Sequence, residues 1–151
     1  MTLSSHGQDI MQIIGNYLLH HVGVVFPTLF DAENFIALMA LQEDYRGRVD
    51  QWDCLCIFTK PQSGTAIELV VPESGPLKRF NKGAGGVHHY AYQVADIGLA
   101  SRDCEARGMA MLLPAPIKGA GDFLCNFIDP MSLRGIQIEL VQLMDASTPP
   151  S

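Results

Sequence analysis

Two histidines and two glutamates recur in matched surroundings. His21 opens His21-Val22-Gly23-Val24-Val25, and His89 opens His89-Tyr90-Ala91-Tyr92-Gln93-Val94. Glu68 lies in Ile67-Glu68-Leu69-Val70, and Glu139 in Ile138-Glu139-Leu140-Val141. The histidines are 68 residues apart. The glutamates are 71 apart (139 − 68). Two landmarks repeated in the same order at nearly one period mark an internal duplication. Each of the four residues sits inside an apolar, strand-like run. A carboxylate in such a run needs a partner or a proton, because burying an unpaired charge is costly. Two imidazoles and two carboxylates supply the donor set of a divalent-metal site.

The elements that must hold these residues repeat with them. His20 to Phe26 reads as a strand, ended by Pro27. Thr28 can cap a helix over Leu29, Ala32, Ile36, Met39 and Ala40. Gln42 to Asp50 is charged and reads as a connection with a short strand. Trp52 to Thr59 reads as a buried strand, Lys60 to Gly64 as a turn, and Thr65 to Val71 as the strand carrying Glu68. Pro72 to Gly86 joins the halves. Then Val87 to Val94 is a strand, Asp96 caps a helix over Ile97 to Arg107, and Gly108 closes it. Met109 to Leu113 reads as a strand, Pro114 to Gly121 as a loop, and Phe123 to Ile128 and Ile136 to Val141 as the last two strands. The expected fold is α+β: two tandem βαβββ modules, residues 18–72 and 86–143, forming one domain. Residues 1–8 and 145–151 are expected to be flexible tails. Residues 9–19 fit a short helix and an added strand equally well.

Strand side chains alternate between faces. His21 then shares a face with Gly23 and Val25, and His89 with Ala91 and Gln93. Glu68 goes with Ala66 and Val70, and Glu139 with Gln137 and Val141. Small or modest neighbours suit a cavity wall. Simple alternation points His20 and His88 the opposite way. The repeat also selects His21 and His89, since each stands eight positions before the helix-opening Leu29 or Ile97. Trp52, Phe58 and Tyr92 read as core.

The chain has 151 residues, enough for one ordinary domain that buries roughly 70% of its unfolded surface. A formal net charge of −6 argues against a nucleic-acid or anionic-membrane surface. No stretch approaches the ~18 apolar residues of a membrane span. Cys54, Cys56, Cys104 and Cys125 form no CxxC pair. They read as reduced packing residues of a cytoplasmic protein.

Gly86-Val87-His88-His89-Tyr90-Ala91-Tyr92-Gln93-Val94-Ala95-Asp96-Ile97 resembles the GxHHxAxxVxDI segment of methylmalonyl-CoA epimerases. The loop from Pro114 to Gly121 and the ending from Gly135 to Gln142 resemble them too. Over about residues 18–143 the chain is similar to the vicinal oxygen chelate (glyoxalase I / methylmalonyl-CoA epimerase) superfamily. That resemblance implies a partly open, incurved sheet around a divalent ion (Co, Ni, Mn, Zn or Fe), with His21, Glu68, His89 and Glu139 as ligands.

It also implies an isomerase or epimerase moving a proton through a metal-stabilised enolate. The substrate would be a 2-oxo or acyl-CoA-type small molecule, and the assembly a homodimer. Glu139 or Glu68 would serve as base. Asp53 lies near the position where some epimerases carry a second acid/base carboxylate. Some epimerases have Gln at the position of Glu68, whereas Glu there is closer to glyoxalase I. The chain departs from epimerases at Asp129-Pro130-Met131, where many have His-Pro-Lys, and at Gly119-Ala120-Gly121-Asp122, where they have Gly-Ala-His-Gly. Within the same superfamily, a lyase of the glyoxalase I type and a non-catalytic binder of small molecules are the alternatives. Lys78, Arg79 and Lys82 read as a solvated loop, with CoA phosphates as the other option.

Overall fold

The computed structural model describes residues 18–61 and 64–145. Most of the undecided segment 9–19, and the tails apart from Asp145, lie outside the described residues. Eight strands form one sheet: β1 (Leu19–Val25), β2 (Glu43–Val49), β3 (Cys54–Thr59), β4 (Ala66–Pro72), β5 (Gly86–Gln93), β6 (Ile117–Lys118), β7 (Phe123–Ile128) and β8 (Ile138–Leu143). Among the described residues three α-helices accompany them: α1 (Leu29–Leu38), the short α2 (Gly75–Lys78) and α3 (Ile97–Ala106).

The sheet order is β2-β3-β4-β1-β5-β8-β7-β6. β1 runs parallel to β4, and β5 parallel to β8. β1 and β5 meet antiparallel at the centre. Each half is therefore the same βαβββ unit, and the two units are joined along β1 and β5. The expected duplication is present in the topology.

The repeated Ile-Glu-Leu-Val segments show why this sequence makes this sheet. Alternation sends Leu69 to one face, where it packs with Ala32 of α1, Ile57 and Val71. Leu140 does the same with Ala100 and Cys104 of α3. Fully burying such a leucine is worth roughly 1.5–3 kcal/mol. The opposite parity sends Val70 and Val141 to the concave face, with Phe58, Phe123, Cys56 and Cys125. Glu68 and Glu139 follow that parity, so the helix-covered face fixes where both carboxylates point.

Both helix starts are as the sequence indicates. Thr28 accepts a hydrogen bond from the Asp31 amide, and Asp96 accepts one from the Leu99 amide. Gly108 adopts φ +85° just beyond α3, the left-handed closure expected of it.

Three expectations need correction. The charged segment after α1 is a full seven-residue strand, β2, rather than a short one. It lies at the sheet edge, where charged side chains are tolerated and discourage edge pairing. Its Tyr45 stacks on Phe58 with ring centroids 4.8 Å apart. The strand expected over Met109 to Leu113 is reduced to a single bridge, Met111 to Ile128. The pairing strand of that module is instead the two-residue β6. Pro114 and Pro116 have no N–H for a ladder, and the Asn126 amide takes over, bonding both Leu113 N (3.1 Å) and Leu113 O (3.0 Å). Trp52 falls in a 3-10 turn before β3 rather than in that strand.

The sheet curls until its two ends approach. A Cβ on Gly47 of β2 would lie 2.4 Å from the Ala120 carbonyl oxygen. A Cβ on Gly121 would lie 2.5 Å from the Tyr45 hydroxyl. Glycine at these two places lets the loop before β7 close against β2.

Candidate metal centre

Four buried side chains converge at the bottom of the curl. His21 comes from β1, Glu68 from β4, His89 from β5 and Glu139 from β8, so the four central strands give one residue each. All four are buried. His21 Nε2 lies 3.1 Å from Glu68 Oε2, 3.1 Å from Glu139 Oε2 and 3.2 Å from His89 Nε2. His89 Nε2 lies 3.1 Å from Glu68 Oε2 and 2.9 Å from Glu139 Oε2. The four donor atoms all fall within 4.8 Å of one another.

This donor set fits a divalent cation. An ion about 2.1 Å from two adjacent octahedral donors separates them by about 3.0 Å. The five separations above match that edge. His21, Glu68, His89 and Glu139 would hold such an ion, which would supply Lewis-acid stabilisation to a ligand oxygen reaching it. Charge agrees. Two carboxylates in a buried site require positive charge, supplied by protons or by a cation. Burial alone would lower the histidine pKa values. The surrounding Glu139 and Glu68 outweigh it and raise His21 to about 9 and His89 to about 10. Burial would raise Glu139, but His21 and His89 outweigh that and hold it at about 2. Glu68 is held well below the usual carboxylate range against the same burial, again by His21 and His89.

Gly23 makes room for this arrangement. A Cβ there would lie 2.0 Å from His89 Cε1, so the ring of His89 occupies the space a side chain would need. His89 also packs edge-on against Phe127, 5.6 Å between centroids, and His21 edge-on against Phe58, 5.0 Å.

His20 and His88 do not point away from the site. His20 Nδ1 lies 2.8 Å from His21 Nδ1, and His88 Nδ1 lies 3.0 Å from His89 Nδ1. The cause is a matched pair of β-bulges between β1 and β5. Leu19 pairs with Tyr92 and His21 with Ala91, which leaves His20 as an extra residue. Gly23 pairs with His89 and Val24 with Val87, which leaves His88 as an extra residue. A bulge suspends alternation locally and re-aims a side chain. Burial, followed by the neighbouring His89, lowers His88 to about 4, and burial followed by His21 lowers His20. The doubled His20-His21 and His88-His89 were visible in the sequence, but the bulges were not.

The site opens onto a cavity of about 620 Å³. Glu68, His89 and Glu139 line it, as do His88, Trp52 and Asp53. Trp52 thus packs against the core, as its sequence context suggests, and is a cavity wall as well. Phe58 and Tyr92 do pack in the core. Asp53 stands apart from the four converging residues. Its own left-handed backbone (φ 46°) ends the turn before β3. Its carboxylate accepts from Arg48 Nη2 at 2.9 Å and from the Ser74 hydroxyl. Those contacts, Ser74 first and Arg48 after, hold its pKa below the ordinary value.

Lys78 donates to the Pro27 carbonyl oxygen. Among the described residues, no lysine or arginine lines the cavity. All four cysteines are free and buried. Cys54 Sγ and Cys56 Sγ are 3.7 Å apart on one face of β3. Cys56 lies beside Glu68 and Cys125 beside Glu139, one thiol against each carboxylate in the two halves. No described helix is long and apolar enough to cross a membrane.

Known proteins are similar to this chain in sequence and in fold. The family model described as Glyoxalase/Bleomycin resistance protein/Dioxygenase superfamily matches residues 20–127. A mitochondrial methylmalonyl-CoA epimerase from Dictyostelium discoideum is 28% identical over 148 residues, covering 92% of this chain and 88% of the relative. The crystal structure of methylmalonyl-CoA epimerase from Mycobacterium tuberculosis superposes with a TM-score of 0.78 at 25% identity, over 85% of this chain and 89% of that one. A Streptomyces coelicolor methylmalonyl-CoA epimerase in complex with 2-nitronate-propionyl-CoA has the same fold, with a TM-score of 0.75 at 21% identity over 85% and 98% of the two chains.

Proposed function

Because the chain belongs to the glyoxalase/bleomycin resistance protein/dioxygenase superfamily, we propose that it is a divalent-metal-dependent epimerase. Its reaction is proton transfer at the carbon between two carbonyl groups of a 2-carboxyacyl thioester, or beside the carbonyl of a 2-oxo acid. The observation that carries this reading is the convergence of His21, Glu68, His89 and Glu139 on one point, with Glu68, His89 and Glu139 lining an open cavity. The similarity to methylmalonyl-CoA epimerases supports the substrate class. A homodimer, which the resemblance implies, belongs to the same proposal.

His21, Glu68, His89 and Glu139 would hold the ion. When bound, a divalent ion supplies Lewis-acid stabilisation of the negative charge that develops on the substrate oxygens as the α-proton leaves. The rest falls to the chain. We assign proton removal to Glu139, whose carboxylate is ionised and lines the cavity. The resemblance favours Glu139 over Glu68, because a position that accepts Gln in some epimerases acts as a ligand rather than as a base. Glu139 takes the α-proton, and the C–H electron pair moves into the bond towards the carbonyl. Inversion needs the proton returned on the other face. Asp53 belongs to the other module and lines the same cavity, so we assign it as the second acid/base group: it takes a proton from solvent, gives it to the carbon on that face and is left as the carboxylate. Trp52, Phe123 and Phe127 give the cavity walls an apolar lining.

The test is solvent exchange. The cobalt-loaded chain is incubated with methylmalonyl-CoA in deuterium oxide and the α-proton signal is followed by NMR. Exchange that stops with EDTA and returns on adding metal is expected. A fully loaded chain that leaves the α-proton in place contradicts the proposal.

A further inference from the structure

We propose that His20 and His88 are positioning residues that fix the ring tautomers of His21 and His89 for metal binding. The inference rests on the metal site of the proposed function but not on its substrate. Each of the four rings uses Nδ1 in a histidine–histidine pair: His20 with His21 at 2.8 Å and His88 with His89 at 3.0 Å. A hydrogen bond between two ring nitrogens requires one N–H and one lone pair. The inner rings turn Nε2 to the carboxylates and to each other. An imidazole that gives its Nε2 lone pair to a metal carries its proton on Nδ1. That N–H is the donor of the pair, so His20 and His88 accept through Nδ1 and carry their own protons on Nε2.

The fold builds this twice. The two β-bulges insert one extra residue each, and the extra residue is the outer histidine in both strands. Without the bulge, the side chain before each ligand would face the helices. Each outer ring is itself held: His88 sits edge-on to Phe80 at 4.8 Å, and His20 lies 5.8 Å from Phe123. No hydrogen-bond partner for Nε2 of either outer ring is found among the described residues, so each outer ring has Nδ1 as its single protein contact of this kind. Partners that orient ligating histidines commonly contribute about 10–100-fold to metal affinity.

The test uses the full chain and cobalt(II), followed by its visible absorption. His88→Phe keeps an aromatic ring against Phe80 and removes the acceptor. His88→Asn restores an acceptor oxygen near the place of Nδ1. The expected result is a loss of about 10–100-fold in cobalt affinity for His88→Phe and recovery to within a few-fold in His88→Asn. His20→Phe should lose cobalt affinity by a similar factor, and His20→Asn should recover it.

Long-range nitrogen–proton NMR of the zinc-loaded chain provides the second readout, and it is independent of affinity. It should show His21 and His89 protonated at Nδ1, and His20 and His88 protonated at Nε2. Unchanged cobalt affinity in folded His88→Phe and His20→Phe would overturn the inference, as would His89 protonated at Nε2 in the zinc form. A wild-type chain that binds no metal would overturn it together with the proposed function. A chain that binds metal and shows these tautomers but leaves methylmalonyl-CoA unexchanged would sustain this inference and count against the epimerase alone.

Discussion

Glu139→Gln is expected to slow α-proton exchange of methylmalonyl-CoA by about 10²–10⁴-fold, the usual contribution of a positioned general base. The amide keeps an oxygen where the carboxylate had one, so a ligand atom remains while the basic group is lost. Metal content should therefore stay near that of the wild type. Glu68→Gln is the matched control, because Glu68 occupies the same place in the other module. It should also retain metal and should slow exchange by less than tenfold, since Glu68 is assigned as a ligand alone. The exchange rates are read by NMR in deuterium oxide, with metal measured on the same samples. Equal losses in the two variants would remove the distinction between base and ligand. A Glu139→Gln variant that exchanges at the wild-type rate would move the base elsewhere in the cavity, with Asp53 the first residue to examine.

A single methyl group at Gly23 should disable the metal site from outside the ligand set. The Cβ of Gly23→Ala would fall 2.0 Å from Cε1 and 2.4 Å from both ring nitrogens of His89. The backbone cannot yield easily there, because β1 is paired on both sides, with β4 and with β5. The ring must move instead, and His88 and Phe127 flank it. Overpacking of this kind costs roughly 1–3 kcal/mol, and it displaces Nε2 from the point where four donors meet. Gly23→Ala should fold, unfold at a lower temperature than the wild type, and bind cobalt at least tenfold more weakly. A variant with wild-type cobalt affinity would show that His89 does not need the space above Gly23.

Much of this site is legible in the sequence because it rests on period and parity. A repeated Ile-Glu-Leu-Val has only one way to bury Leu69 and Leu140 under helices, and that way turns Glu68 and Glu139 inward. The duplication then places the four candidates on the four central strands. Parity fails where the pairing register shifts. Alternation alone points His20 and His88 outward, because a bulge is a property of two strands together, set by what β1 and β5 do to each other. The same holds for Met109 to Leu113, whose ladder is replaced by the Asn126 amide from another strand. Trp52 reads as core and does pack against it, but its place on the cavity wall comes from the 3-10 turn before β3, which no alternation pattern shows. Asp53 is singled out by the resemblance, near where some epimerases carry a second acid/base carboxylate. Its tie to Arg48 and Ser74 depends on β2 and on the segment after β4 coming together.

The most direct measurement is the metal content of the purified chain by plasma mass spectrometry, beside His89→Ala and Glu139→Ala. About one divalent ion per wild-type chain is expected, lost in both variants. A wild-type chain that holds no cobalt, nickel, manganese or zinc after reloading would contradict the metal centre, and so would retention of the ion in both variants.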